Sequence, residues 1–396
     1  MMFADRAVNT GRQRELDLVK GMTIILMILI HTFGEFDPHE INALHKTIII
    51  FVNFPIVATA FMFCMGIGLA YTRHISSGEY MRCGVLLLTL GQVLNICRYV
   101  LPALAAYFIL GYTEPMLLTC LIISSDIMQF AGLAFLTMVC LKKLHAGDRA
   151  IFAVSIMMSI LGSVLDGVQT SNYFVNQLLG FFWGTDTESY FPLLNWFIFP
   201  AAGLWFGNMY KRLTDKLKFF SIICAAGIPL YVCYCLSVNY PECPVFRLRN
   251  GDFVKFTRMF LPDALCCIVF VLTLTGIYWL LSRVLPEAVI KQLEYFSKNI
   301  NKFYCVSYCI IIASYDFVGE TLSTSKLLAL WTAFTLMNAG IILFYQKFLE
   351  RRFAAFFSRH SLFWTLAVWV VSFIITYIVF SVYDEYPNFL NDYLEN

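Results

Sequence analysis

A chain of 396 residues that is 59% hydrophobic, 17% aromatic and only 14% charged, with a mean hydropathy of +0.71, carries too much apolar side chain for a water-soluble fold. The formal net charge of +2 hides an asymmetry: the cations gather in a few short interhelical stretches, which signals membrane topology and points away from nucleic acid as a partner. The composition predicts an all-α, polytopic helical bundle in a lipid bilayer.

The first twenty residues carry Arg6, Arg12, Arg14 and Lys20, with Asp17 among them. No small-residue cleavage site follows the apolar run, so the first span is expected to remain in the protein. Apolar runs of spanning length place helices near 21–36, 48–70, 84–108, 116–141, 150–166, 191–209, 219–238, 260–282, 303–318, 326–346 and 361–382, about eleven spans. With the N-terminus in the cytoplasm, 21 lysines and arginines fall on inner segments and 6 on outer ones, and Arg98 falls within a span. The stretch 239–258 carries four cations against that rule and is expected to be an outer loop. No repeat, low-complexity tract or long polar linker interrupts the chain, so residues 1–396 are expected to form one transmembrane domain. The 13 cysteines lie mostly in apolar runs without paired spacing, and they read as packing residues with no metal site or disulfide framework.

Several polar residues within this pattern are candidates for chemistry. His31 closes the first apolar run at its outer end, and His45 follows in the short polar segment before the second run. Histidine is the side chain best matched to moving a proton near neutral pH, as activation of a hydroxyl or amine requires. The ordinary readings are an interfacial loop residue for His45 and a helix-end residue satisfied by a neighbouring helix for His31. Asp17 and Lys20 stand one turn apart at the inner face, where Lys20 suits either an anionic ligand or a snorkelling pair with Asp17. Arg73, Arg82 and the Lys211–Arg212 pair sit at inner helix ends and suit phosphates, although such cations also serve topology alone. Arg98, deep in a span, needs a carboxylate, carbonyls or water; Asp126, one turn from Gln129 in the fourth run, is the expected partner. Gly66, Gly68, Pro200, Gly203 and Gly207 are expected to allow close or kinked helix packing.

The opening LDLVKGMTIILMILIH (16–31) resembles the first helix of membrane-bound acyltransferases, in which a basic residue precedes a histidine by about ten residues. Lys20 stands where arginine is usual, and His31 matches the histidine of the acyltransferase-3 group. The chain is similar over more of its length to relatives of heparan-alpha-glucosaminide N-acetyltransferase. The matching features are Asp17, Lys20-Gly21, Met27, His45, FMFCMG (61–66), FPLLNWFIFPAAGLWFG (191–207) and SKNINKFYCVSY (297–308). It departs at Pro55, where an aspartate is expected. The resemblance implies an integral membrane acyltransferase with His31 or His45 catalytic and Lys20, Arg73 and Arg82 binding acyl-CoA, with acetyl-CoA the expected donor, from the cytoplasm. No metal is implied. The expected acceptor is a hydroxyl or amine of an extracytoplasmic glycan or small molecule, and the expected location a bacterial inner or plasma membrane. The competing reading is a transporter in which Arg98, Asp126 and the histidines line a solute or proton path. A structural partner of a glycan-export system is a third reading.

Overall fold

The computed structural model describes residues 2–37, 41–72, 76–111, 122–185, 189–237, 258–318, 321–352 and 361–382. Arg73, nearly all of 239–258 and the acidic tail 383–396 therefore lie outside the described residues.

In chain order the helices are α1 (Arg14–Phe36), α2 (Ala43–Ile48), a π-helical stretch (Ile49–Val57), α3 (Ala58–Tyr71) and α4 (Ser77–Asn95). A π turn (Ile96–Val100), α5 (Leu101–Ala105) and a second π turn (Ala106–Leu110) then extend α4. Next come α6 (Ile127–Lys143), α7 (Asp148–Val164), α8 (Tyr173–Leu179), α9 (Leu193–Trp196), α10 (Ile198–Tyr210) and α11 (Lys216–Ser237). The last are α12 (Leu261–Leu281), α13 (Glu287–Lys298), α14 (Ile300–Val318), α15 (Thr324–Phe344) and α16 (Ser361–Val382). Among the described residues the only β pairing is two isolated bridges, Phe3 with Leu213 and Ser125 with Ser189.

Among the described residues six helical stretches are long and apolar enough to cross a bilayer: Arg14–Phe36, Ala43–Tyr71, Ser77–Ile109, Lys216–Ser237, Leu261–Leu281 and Thr324–Arg352. Further apolar helices lie at Ile300–Ser314 and Leu362–Ile378. In the run expected at 116–141, residues 116–121 lie outside the described residues, 122–126 form an irregular segment and the helix α6 begins at Ile127.

The chain divides into two compact units. The first comprises Met1–Ile75, Leu141–Ser163 and Leu194–Ile342. Its centre is α1, which packs on α3, α12, α13 and α14. Gly21 makes the α1–α13 approach possible, because any side chain there would overlap the Leu293 carbonyl. A similar logic joins α3 to α10: a methyl group on Gly66 would strike the Pro200 carbonyl, and one on Gly203 would strike the Phe63 carbonyl. Small residues that bring two backbones together are the main currency of helix association where lipid is as apolar as leucine. Gly207 continues this seam against Ala70, whereas Gly68 faces open space and has no packing role.

The π-helical stretch before α3 has a local cause. Pro55 supplies no N–H, so carbonyls one turn earlier lose their backbone donor. Tyr231 and Tyr234 of α11 donate instead, Tyr231 Oη to the Phe51 carbonyl and Tyr234 Oη to the Ile50 carbonyl at 2.7 Å. Tyr234 is fully buried. Non-helical backbone survives at membrane depth only with such replacement partners.

The second unit comprises Ser76–Cys140, Val164–Leu193 and Leu343–Asn396. There α4 begins with a capping box, Ser76 Oγ accepting from the Glu79 N–H and the Glu79 carboxylate accepting from the Ser76 N–H. It meets α6 at Gly84 and Gly132, each lying against the other's carbonyl, and packs on α16. A small apolar cluster of Val100, Ile122, Ile123 and Phe181 fills this unit's core.

Replacing Tyr234 by Phe leaves the Ile50 carbonyl buried without a donor and is expected to destabilise the protein by about 1–3 kcal/mol, read as a lowered melting temperature in detergent. An unchanged melting temperature would show that the carbonyl finds another donor.

Candidate functional site

His45 lies in the first turn of α2, only 2% exposed. Its Nδ1 is 3.2 Å from Oδ2 of Asp37, a carboxylate that is itself fully buried just past the end of α1. The short polar segment between α1 and α2 therefore folds back so that the residue ending one helix meets the residue beginning the next. The Phe33 ring packs edge-on against the imidazole at 5.6 Å. His45 is thus a core residue, which excludes the ordinary reading of an interfacial loop histidine.

Asp37 is held by the chain around it. The backbone N–H groups of Ile41 and Asn42 each donate to it at 3.1 Å. Asn42 also donates its side-chain amide to the Leu322 carbonyl at 3.2 Å and accepts from Thr324 Oγ1 at 2.7 Å, and the Leu322 N–H donates to the Phe36 carbonyl. The segment leading into α15 thereby fixes the hairpin that carries the pair. Burial pushes the Asp37 carboxyl up, but the hydrogen bonds from Asn42, Ile41 and His45 outweigh it and hold the group below the usual carboxylate range.

An ionised carboxylate only accepts, so the pairing requires Nδ1 of His45 to carry a proton, and in the neutral imidazole Nε2 is then the lone-pair nitrogen. That Nε2 is buried and has no hydrogen-bond partner among the described residues. A carboxylate-oriented imidazole with its far nitrogen unpaired is the arrangement that general-base chemistry needs.

His31 sits on α1, partly buried, with its ring 4.3 Å from that of Tyr308 on α14. Tyr308 in turn meets Tyr304 at 5.2 Å.

At the opposite end of α1, Asp17 accepts from Arg12 at 2.5 Å and from Ser297 Oγ at 2.7 Å, and lies 3.3 Å from the Lys20 ammonium. Glu15 binds Lys216 at 2.6 Å and the Tyr210 hydroxyl. Arg14 reaches Glu287 at 3.2 Å. Lys20 is thus paired, with its side chain 30% exposed. Arg82 is exposed on α4 in the second unit, whereas Lys20 lies in the first.

In the second unit Arg98 and Asp126 meet at 2.9 Å, both buried. The Arg98 guanidinium also lies over the Tyr99 ring at 4.3 Å. Asp126 caps α6, its Oδ1 accepting from the Ile127 N–H at 2.6 Å.

Sequence reasoning passed over Asp37. It stands eight residues before His45, but Glu35 and Glu40 flank it, and nothing in the spacing singles out Asp37 as the carboxylate that meets the imidazole.

A family model described as heparan-alpha-glucosaminide N-acetyltransferase, catalytic, matches residues 12–234, which include His31, His45, the Asp17 cluster at the start of α1 and the Arg98–Asp126 pair. No curated protein and no solved structure gives a match.

The lowered Asp37 pKa contributes stability above the unfolded carboxylate value near pH 4, and that contribution is lost as pH falls through the folded value. Acid unfolding followed by tryptophan fluorescence should therefore start lower in overall stability and run shallower below about pH 4 in Asp37→Asn. Parallel curves for the two proteins would contradict the assignment.

Proposed function

Because the chain belongs to the heparan-alpha-glucosaminide N-acetyltransferase catalytic family, we propose that it moves an acetyl group from acetyl-CoA to an amine or hydroxyl of an extracytoplasmic glycan or similar acceptor, with His45 as general base. The observation that carries this reading is the buried Asp37–His45 pair with its unpartnered Nε2.

In this mechanism the acceptor N–H or O–H gives its proton to His45 Nε2 as the nitrogen or oxygen bonds to the thioester carbonyl carbon. The C–S bond breaks, and the proton passes to the departing CoA sulfur. Asp37 keeps the imidazole in the productive tautomer and stabilises the imidazolium that forms between the two steps. His31 stands as the second imidazole of the reaction, on the same helix that leads to Asp37.

The donor phosphates are assigned to Lys20 and Arg73, with Arg82 of the second unit a separate candidate. Lys20 is one-third exposed and already oriented by Asp17, so a phosphate can join it without leaving a buried charge uncompensated. The eleven-span topology with a cytoplasmic N-terminus puts those cations on the donor side and the histidines on the acceptor side. On this reading the two units form one acyltransferase domain over residues 1–396 in a bacterial inner or plasma membrane. The six long apolar helices and the matched family support an integral membrane enzyme.

Replacing His45 by Ala should lower acetyl transfer in membranes by about 10²–10⁴-fold with the acetyl-CoA KM little changed. Lys20→Ala should instead raise the acetyl-CoA KM and leave the acceptor KM alone. Full activity in His45→Ala would overturn the mechanism, and acceptor movement without CoA release would favour a transporter.

A further inference from the structure

The second unit contains a polar cluster that acetyl transfer at His45 does not use. On α4 and the π turn after it, Gly91, Asn95 and Arg98 follow one another at helical spacing on one face, with Gln92 beside Gly91. Facing them are the irregular segment 122–126 and the first turn of α6, with Asp126 and Gln129 one turn apart. The two walls are tied together. Gln92 donates to the Ile122 carbonyl at 2.6 Å, Asn95 donates to the Ile122 and Ser124 carbonyls at 3.0 Å each, and Arg98 pairs with Asp126 at 2.9 Å. The Gln129 amide lies directly against Gly91, where any side chain on the glycine would displace it.

This closed ring leaves polar atoms unmatched. Gln129 is fully buried, and among the described residues neither its Oε1 nor its Nε2 has a partner; Gln92 Oε1, Asn95 Oδ1 and Ser125 Oγ are likewise buried without one there. Helix packing alone does not call for this set, since an apolar side chain of similar length at position 129 would fill the same space and strand no polar atoms. Both walls also sit at breaks in regular helix, one at a π turn and the other at residues 122–126, and such breaks recur at functional sites. The unmatched atoms combine amide and hydroxyl acceptors with the amide donors of Gln129. Among the described residues the formal charges at the cluster are Arg98 and Asp126, which neutralise one another.

We propose that this cluster is a binding site for an uncharged ligand presenting hydroxyl or amide groups, with the Gln129 amide as its central contact. A neutral sugar meets that description. An anionic or cationic one does not, because its charge would be buried beside a pair that is already compensated.

The test uses the full chain in lipid nanodiscs without acetyl-CoA, so that it does not depend on the acetyl-transfer reading. Melting temperature and saturation-transfer NMR are recorded with N-acetylglucosamine, with glucuronate as the anionic probe and with glucosamine at pH 6 as the cationic one. The proposal expects N-acetylglucosamine to bind and to raise the melting temperature, and the two charged sugars to bind at least tenfold more weakly. Gln129→Met loses no hydrogen bond of the free protein, so it should fold with an equal or higher melting temperature yet bind N-acetylglucosamine at least tenfold more weakly. Asn95→Leu is the second variant and should weaken sugar binding in the same way. Absence of N-acetylglucosamine binding to the parent protein would mean that the cluster holds water alone and would overturn the proposal. Equal binding by Gln129→Met, or equal binding of the charged sugars, would overturn it too.

Discussion

The contact between the Asp37 carboxylate and Nδ1 of His45 is the constraint that gives the first unit its chemical meaning. It joins the end of α1 to the start of α2, so the hairpin between two long apolar stretches is closed by a charge-assisted bond in place of a solvated loop. Burying an ionisable pair is costly unless its remaining valences are filled. Here the Ile41 and Asn42 N–H groups fill those of the carboxylate, and the Thr324–Asn42–Leu322 bonds hold the amide that leads into them. One valence remains open on the imidazole, at Nε2. The proposed role of His45 as a base rests on this one unpartnered nitrogen beside a held carboxylate.

The rest of the unit holds that hairpin in place by close backbone approach. Gly21, Gly66 and Gly203 each put a neighbouring carbonyl where a side chain would have been, so α1, α3, α10 and α13 are brought together through positions with no side chain. Between His45 and that seam runs the π-helical stretch that Pro55 interrupts, and two tyrosines from α11 repair it. Pro55 shapes the backbone and carries no charge.

Much of this was legible in the sequence, and the limits are instructive. Runs of apolar residues located the helices because the bilayer sets their length. The run at 116–141 misled, since hydropathy cannot distinguish a helix from the irregular segment 122–126, whose backbone is satisfied by amides of Gln92 and Asn95 on another helix. Arg98 demanded a carboxylate on energetic grounds, and Asp126 was near at hand in the next polar break. Lys20 and Asp17 were readable as neighbours from their spacing. The sequence could not show that Asp17 also gathers Arg12 and Ser297 from outside its own turn. Asp37 stayed hidden because the turn that brings it to His45 is held by tertiary bonds from residues 322–324, nearly three hundred positions away in the chain.

The most direct measurement of the central claim is the tautomer of His45. Selective ¹⁵N labelling of histidine, with His45→Gln used to assign the signal, reports which ring nitrogen carries the proton in nanodiscs at neutral pH. The account predicts a proton on Nδ1 shared with Asp37 and a bare Nε2, with that preference lost in Asp37→Asn. A proton resident on Nε2 in the parent protein, indifferent to the change at position 37, would contradict it.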